Sequence, residues 1–296
     1  MVAKRIASSL RWRLNARLHR LAKRMPPGAF WDRIYHETLF YRCHGRYPKK
    51  HMRFNDFLHQ MKVDGTLSDP LRVFVTDKEL SKIYVAGTVG RQYAVPTLAV
   101  LKTASEIEDF EFPNECFIKA TNSCGKNIHK KPGQEVDRDL LKSWLRSCYY
   151  REGRESNYKG LIPKIILEPI IFNGASFDEY QVFCYFGKPR IIAIKNMDRD
   201  SVKKVNFRTF YDSEWSKLPF YQGYPACPEA IDNPDCLSEL LEVSAKLSAP
   251  FEFVRCDYFS DGKEIIVGEI TNCHAGGTRS FSTDLGEEHF SDLLFQ

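Results

Sequence analysis

Long apolar runs are missing from this chain. A spanning helix needs roughly 20 apolar residues, and stretches such as Ile165-Ile166-Leu167 end within a few. Among the nine cysteines no two stand at C-x-x-C spacing. Their odd number reads as free thiols in a reducing compartment, so a cytoplasmic location is expected and most of them serve as small buried hydrophobes. There is no P-loop and no G-x-G-x-x-G, which removes the two common nucleotide fingerprints. There is likewise no G-x-S-x-G or H-E-x-x-H, internal repeat or low-complexity tract. What remains is 296 residues, 43% hydrophobic and 27% charged, with 17 Gly and 15 Pro. That is the composition of an ordinary soluble globular protein, long enough to bury its core without disulfide or metal staples.

Acidic residues are absent from the first 24 positions, where Lys4, Arg5, Arg11, Arg13, Arg17, Arg20, Lys23 and Arg24 all carry positive charge. The chain as a whole has 43 Lys and Arg against 38 Asp and Glu, so the remaining body is slightly acidic. No basic face for a nucleic acid is expected. Ile6, Leu10, Leu14, Leu18, Leu21 and Met25 fall on one stripe of a basic amphipathic helix that Pro26-Pro27-Gly28 ends. Its apolar segments are too short for a cleaved secretory signal. Such a helix suits either an anionic membrane surface, placing the protein at the inner face of the membrane, or packing on its own body or a partner.

Downstream, residues 29–70 read as mixed helix and loop that supply packing. Thr76 to Gly90 has an N-cap, helical periodicity and a closing glycine. Strands are expected at 95–101 and at 116–120, the second followed by the turn-forming Thr121-Asn122-Ser123-Cys124-Gly125 and a returning strand. A helix at 137–150 precedes strands at 162–169, 179–186 and 190–195, the last two joined by Gly187-Lys188-Pro189. Residues 196–234 read as irregular, 235–247 as a helix and 251–271 as a hairpin about Ser260-Asp261-Gly262. Helices and strands in this order make an α+β fold.

The sharpest constellation is the last hairpin, with Asp257 in Val254-Arg255-Cys256-Asp257 and Glu269 in Val267-Gly268-Glu269-Ile270-Thr271-Asn272. Two acids on apolar strands suit a Mg²⁺ that also bears phosphates, because hard cations want carboxylate oxygens. An ordinary salt-bridged pair is the alternative. The positions differ by twelve, an even number, so the acids share a face only if the loop holds an odd number of residues or a strand carries a bulge. Lys119 is an ammonium on an apolar strand just before the small-residue loop, where it can reach a phosphate or simply point outward. Glu168-Pro169-Ile170-Ile171 ends a strand at a proline, freeing neighbouring backbone groups that can pair with an adenine edge.

Lys82 on its helix, FIKATNSCG, LIPKIILEPI, DEYQVFCYFGKPR, FEFVRCDYF and IIVGEITN, in that order, resemble the ATP-grasp ligases, most closely the TupA-like family linked to teichuronopeptide and capsule biosynthesis. The resemblance runs from about residue 30 to 290 and implies an α+β ATP-grasp fold, with ATP held between two lobes. The domains it implies are a basic helix (1–28), a mostly helical region (29–110), a small lobe (111–188) and a C-terminal lobe with the metal site (189–296). The activity implied is a carboxylate-amine ligase that activates the carboxylate as an acyl phosphate, with ATP and Mg²⁺, on a cell-surface glycan precursor. A sugar or phosphoryl transferase using the same pocket and a non-catalytic membrane-surface scaffold are the rival readings.

Carried onto this chain, the resemblance gives Lys82 and Lys119 to the phosphates, Lys119 with a catalytic part, and Ser123, Cys124 and Gly125 to the loop over them. Glu168, Ile170 and Ile171 fall at the adenine hinge. Asp257 and Glu269 match the metal carboxylates, with Thr271 as third ligand and Arg255 stabilising charge on the transferred phosphoryl group. The chain departs from the family pattern at Thr271-Asn272, where Asn usually stands two residues after the glutamate. It departs again in its single loop glycine and at Gln181, where lysine is usual. Arg199, His274, Gly276, Gly277 and Arg279 are candidates to bind an anionic acceptor.

Overall fold

In the computed structural model, which describes residues 2–50, 53–197 and 206–296, five helices come first. They are α1 (Val2–Arg24), α2 (Ala29–His44), α3 (Phe54–Val63), α4 (Pro70–Thr76) and α5 (Lys78–Thr88). The Asp69 carboxylate accepts from the Leu71 and Arg72 amides at the start of α4, with Pro70 in the first turn, and Asp77 does the same for Glu79 and Leu80 in α5. Each cap satisfies amide groups that the helix itself leaves unpaired.

The leucine stripe of α1 is not what packs. Asn15 and Ala22 are buried and His19 stacks on Tyr35, with its Nδ1 3.0 Å from Thr38 Oγ1. These three positions form a ridge at i, i+4 and i+7 that lies on α2. Leu10, Leu14, Leu18 and Leu21 remain 43–57% exposed. Arg154 holds the other end by donating from Nη2 to the carbonyls of Ala22, Lys23 and Met25, while its Nη1 pairs with Asp32 at 2.8 Å.

A four-stranded sheet follows, interleaved with short helices: β1 (Ala99–Leu101), α6 (Ala104–Asp109), β2 (Cys116–Ala120), β3 (Asn127–Lys130), α7 (Arg138–Leu145), α8 (Tyr149–Gly153) and β4 (Ile165–Glu168). Its order is β1-β4-β2-β3, antiparallel throughout. Cys116, Ile118, Ala120, Ile165 and Leu167 turn into a core with Ile107, Leu141 and Trp144 of α6 and α7. By the alternation of a strand, Phe117, Lys119, Ile166 and Glu168 face the other way. The helix expected over 137–150 breaks at residues 146–148 into α7 and α8.

The second sheet runs β7-β6-β5-β8-β9 and comprises β5 (Asp178–Tyr185), β6 (Lys188–Met197), β7 (Asn206–Asp212), β8 (Phe253–Ser260) and β9 (Ile265–Thr271). Helices α9 (Leu237–Ser248) and α10 (Asp284–Leu294) complete the chain. One face buries Val182, Ile192, Tyr211, Val254 and Tyr258 against Leu240, Val243 and Leu247 of α9. On the opposite face Phe183, Ile191, Phe210 and Phe253 pack with α3 and α10 at one end only. The other end of that face is the floor of a cleft. The expected lobe border at 188/189 falls inside the β5–β6 hairpin; by strand pairing the sheets divide between Glu168 and Asp178.

Strand β7 corrects the expectation of irregular chain across 196–234. Its sequence, NFRTFYD, places Arg208, Phe210 and Asp212 on one face, and the arginine breaks the apolar pattern.

The parity question in the β8–β9 hairpin is settled by a bulge. Ser260 pairs with Ile265, so the loop holds four residues, an even number, and Tyr258 pairs with Val267. The next pair is Asp257 with Glu269, which leaves Gly268 as the extra residue. The two acids therefore leave the sheet side by side on one face. A Cβ on Gly268 would fall 2.6 Å from Cε2 of Phe259, whose ring packs edge-on against Phe177. Gly268→Val is therefore expected to lower stability by about 1–3 kcal/mol, read from urea midpoints. An unchanged midpoint would show that the bulge does not need glycine.

Candidate active site

Two lysines converge on one glutamate. Glu168, at the end of β4, accepts Lys82 Nζ of α5 on Oε1 at 2.7 Å and Lys119 Nζ of β2 on Oε2 at 2.5 Å. Burial opposes ionisation, yet the two ammonium groups hold this carboxyl below its ordinary value. Burial likewise draws Lys82 below the usual lysine range, against the pull of Glu168. Lys82 also donates to Thr97 Oγ1 at 3.0 Å. Lys119 is thus held on Glu168, on the sheet face opposite the core of this lobe.

Beyond β2 the loop turns at Gly125, whose φ of +77° favours glycine. Lys78 Nζ donates to the Ser123 carbonyl at 2.6 Å and the Lys78 amide to the Thr121 carbonyl at 3.1 Å, tying the loop to α5. Ser123 Oγ, Thr121 Oγ1 and Asn122 Oδ1 are buried without partners among the described residues. Cys124 is exposed. Across the cleft, the chain leaves β4 through Pro169, and the Ile171 carbonyl accepts the Gly174 amide at 3.1 Å. The Ile170 and Ile171 amides make no hydrogen bond among the described residues.

At the acid pair Arg255 forms a fork with Asp257, Nε to Oδ1 at 2.6 Å and Nη2 to Oδ2 at 2.5 Å. Gln181 donates to Asp257 Oδ2 at 3.3 Å from the neighbouring strand. Thr271 accepts from Arg255 Nη2 at 3.1 Å and donates to Glu269 Oε1 at 3.0 Å. Burial raises the Asp257 carboxyl above its ordinary value despite Arg255. Glu269 moves the other way: burial opposes its ionisation, but Lys78 and Arg255 hold its carboxyl down. Asn272 faces away, with Nδ2 on the Arg72 carbonyl and Thr76 Oγ1 and its Oδ1 taking Arg72 Nη1. It fastens α4 to β9, so Thr271 is the residue that shares the acids' face. Asp257, Glu269 and Thr271 present only oxygen donors side by side, which fits a hard divalent cation that keeps several waters.

The remaining expected residues divide. His274 is buried beside Phe54 and Phe183, with Nδ1 against Arg255 Nη1 and Nε2 2.6 Å from Gln222 Oε1. Burial and the surrounding arginines hold it well below the usual histidine range, so it is neutral. Both ring nitrogens are engaged within the protein, one against Arg255 and one against Gln222. Gly276 and Gly277 turn toward α3 and α2, where their carbonyls accept Lys62 Nζ at 2.6 Å and His44 Nε2 at 2.9 Å. Arg279 lines the open cleft, and Arg199 lies outside the described residues.

Three groups at the site were not singled out from sequence. Two of them, Lys78 and Glu155, line a small cavity with Glu269 under the Ser123-Cys124 loop. Burial pushes the Glu155 carboxyl up. Arg208 on β7 is the third, and Tyr224 stands against it with its ring centroid 5.6 Å from the Arg208 Cζ.

The lysine clamp has a stability signature. Because the Glu168 pKa is depressed on folding, its contribution is present in full above the unfolded value of about 4.3 and is lost as pH falls through the folded value. Glu168→Gln removes the term, so urea midpoints of the wild type should fall more steeply between about pH 5 and pH 3 than those of the variant. Parallel profiles would contradict the clamp.

The family model described as TupA-like ATPgrasp matches residues 58–294. No curated protein matches. Among solved structures, D-alanine-D-alanine ligase from Helicobacter pylori is similar at 17% identity and a TM-score of 0.42, over 76% of this chain and 60% of that one. The ATP-grasp ligase PsnB with its minimal precursor is similar at 11% identity and a TM-score of 0.42, over 81% and 67%. D-cycloserine synthetase DcsG is similar at 14% identity and a TM-score of 0.39, over 76% and 71%. The chain thus spans about 60% of the H. pylori enzyme's length. With the family model covering all of both sheets, the chain belongs to the TupA-like ATP-grasp family.

Proposed function

We propose that this protein is an ATP- and Mg²⁺-dependent ligase that joins a carboxylate to an amine through an acyl phosphate. The observation that carries this reading is the pairing of Asp257 with Glu269 on one face, next to a loop and a lysine pair suited to phosphates. In this reading Lys82 and Lys119 hold phosphate oxygens, exchanging part of their contact with Glu168 for the nucleotide. The Ser123 to Gly125 backbone closes over them, and Ile170 and Ile171 meet the adenine edge. Asp257, Glu269 and Thr271 hold Mg²⁺, which supplies charge neutralisation at the transferred phosphoryl group.

Chemistry then proceeds in two displacements. A carboxylate oxygen forms a bond to the γ-phosphorus as the bond to ADP breaks; Arg255, kept in place by His274 and Asp257, faces the charge on the transferred group. An amine nitrogen next attacks the acyl carbon, the C–O bond breaks, and inorganic phosphate leaves with the proton lost by nitrogen. The protein's part is positioning and electrostatics, with no protein nucleophile.

The family resemblance supports an acceptor on a cell-surface polysaccharide or its precursor. Helix α1 supports a location beside an anionic membrane surface, since its leucine stripe is exposed and flanked by arginines and lysines. No helix among the described residues is long and apolar enough to cross a membrane.

Calorimetric titration of a slowly hydrolysed ATP analogue with Mg²⁺ tests the site. The wild type is expected to bind, and Asp257→Asn to lose at least about tenfold in affinity, or 1.4 kcal/mol. Absence of binding in the wild type would favour the scaffold reading, and a phosphorylated acceptor without free phosphate would favour a kinase. For α1, Leu14→Glu with Leu18→Glu should abolish sedimentation with anionic vesicles. Equal sedimentation of wild type and double variant would refute lipid binding through the stripe.

A further inference from the structure

Among the described residues Arg208 is a cation without a counter-ion. It is 4% exposed, and its Nε and Nη1 have no hydrogen-bond partner among the described residues. No ion pair with it or with Arg279 occurs among those residues, and two of the acids nearby are taken. Asp257 is forked by Arg255, and Glu179 holds Lys195 at 2.6 Å. Removing a guanidinium from water without an anion is costly by several kcal/mol, and buried donors are ordinarily satisfied.

The surroundings are built around this group. The Arg208 amide donates to the Pro225 carbonyl at 2.9 Å, anchoring the segment that carries Tyr224. Arg208 and Arg279 place their Cζ atoms 5.6 and 5.1 Å from the centroid of the Tyr224 ring, so one aromatic ring stacks near both guanidiniums. Gly223, at φ +77°, leaves room for the second: a Cβ there would lie 2.5 Å from Arg279 Nη1. All of this opens on a cavity of about 910 Å³ that Glu179, Lys195, Phe207, Arg208, Tyr224 and Arg279 help to line. On the same face of the sheet, the row holding Glu179, Lys195 and Arg208 lies one step along the strands from the row holding Gln181 and Asp257.

We propose that Arg208 and Arg279, oriented by Tyr224, bind an oxyanion of the substrate that is ligated, a carboxylate or a phosphate, apart from the phosphates of the nucleotide. The proposal rests on the ligase reading above. A guanidinium fork matches either oxyanion through paired N–H donors. Arg255, by contrast, already directs its N–H groups to Asp257, Thr271 and His274, so the unengaged pair is the one free to select the substrate.

The test is a melting series in malonate and in inorganic phosphate, at ionic strength matched with sodium chloride, for wild type, Arg208→Gln and Arg279→Gln. It is run with and without saturating Mg²⁺ and the ATP analogue. Both anions stabilise proteins generally by exclusion from their surfaces, so the difference between wild type and variants is what is read. The wild type should gain at least about 2 °C more than either variant, and the gain should persist with nucleotide bound. The larger gain names the source, malonate for a carboxylate substrate and phosphate for a phosphorylated one. Without anion, Arg208→Gln should melt no lower than the wild type, because it removes an unpaired buried charge; Lys246→Gln, on the exposed face of α9, should keep the full response. Variants that respond like the wild type would overturn the proposal. So would a gain that vanishes when nucleotide binds, since the anion would then have occupied the nucleotide's phosphate position. Loss of nucleotide binding in the wild type with the anion response intact would instead sink the ligase reading and leave the oxyanion site standing.

Discussion

Carboxylates on neighbouring strands can share one cation only if they leave the sheet on the same face, and in an antiparallel hairpin that is a matter of parity. Here the four-residue loop between β8 and β9 would send Asp257 and Glu269 to opposite faces. The single unpaired residue Gly268 reverses this, and its missing side chain makes room for Phe259. Thr271 follows Glu269 onto the same face, while Asn272 is turned into the protein to hold α4. Which of Thr271 and Asn272 shares the acids' face is thus set by the same one-residue shift.

Most of the cations around that floor are paired with an acid of the protein itself. Lys82 and Lys119 share Glu168, Arg255 is forked on Asp257, and Lys195 rests on Glu179. Each cation has a nearby acid from which it can turn to a substrate without crossing an uncompensated state. His274 stays neutral because burial and three arginines surround it, and this lets it accept from Arg255 while donating to Gln222. Arg208 and Arg279 are the exceptions, forming no ion pair among the described residues; in the proposed reading they mark the end of the cleft that takes the substrate.

Much of this was legible in the sequence where local rules decide. The capped helix at α5 and strand β2 with its turn-forming loop follow from spacing alone, whereas for the last hairpin spacing gives only the condition, an odd loop or a bulge, and the structure supplies the bulge. What escaped was set by tertiary context. Strand β7 was hidden because Arg208 occupies an inward position that a pattern search treats as exposed. The leucine stripe of α1 leaves membrane surface and protein packing both open, and on the protein it is Asn15, His19 and Ala22 that pack. Burial of His274 and of Asn272 depends on α3 and α4, distant in sequence, so nothing in their own neighbourhood announced it.

The claim on which the account turns is that Asp257 and Glu269 together hold the cation that accompanies the nucleotide. Crystals grown with Mn²⁺ and a slowly hydrolysed ATP analogue would locate that ion by its anomalous signal. The account predicts a peak coordinated by oxygens of both Asp257 and Glu269, with the analogue's phosphates completing its shell. A nucleotide bound with its metal elsewhere, or with neither carboxylate as a ligand, would contradict it.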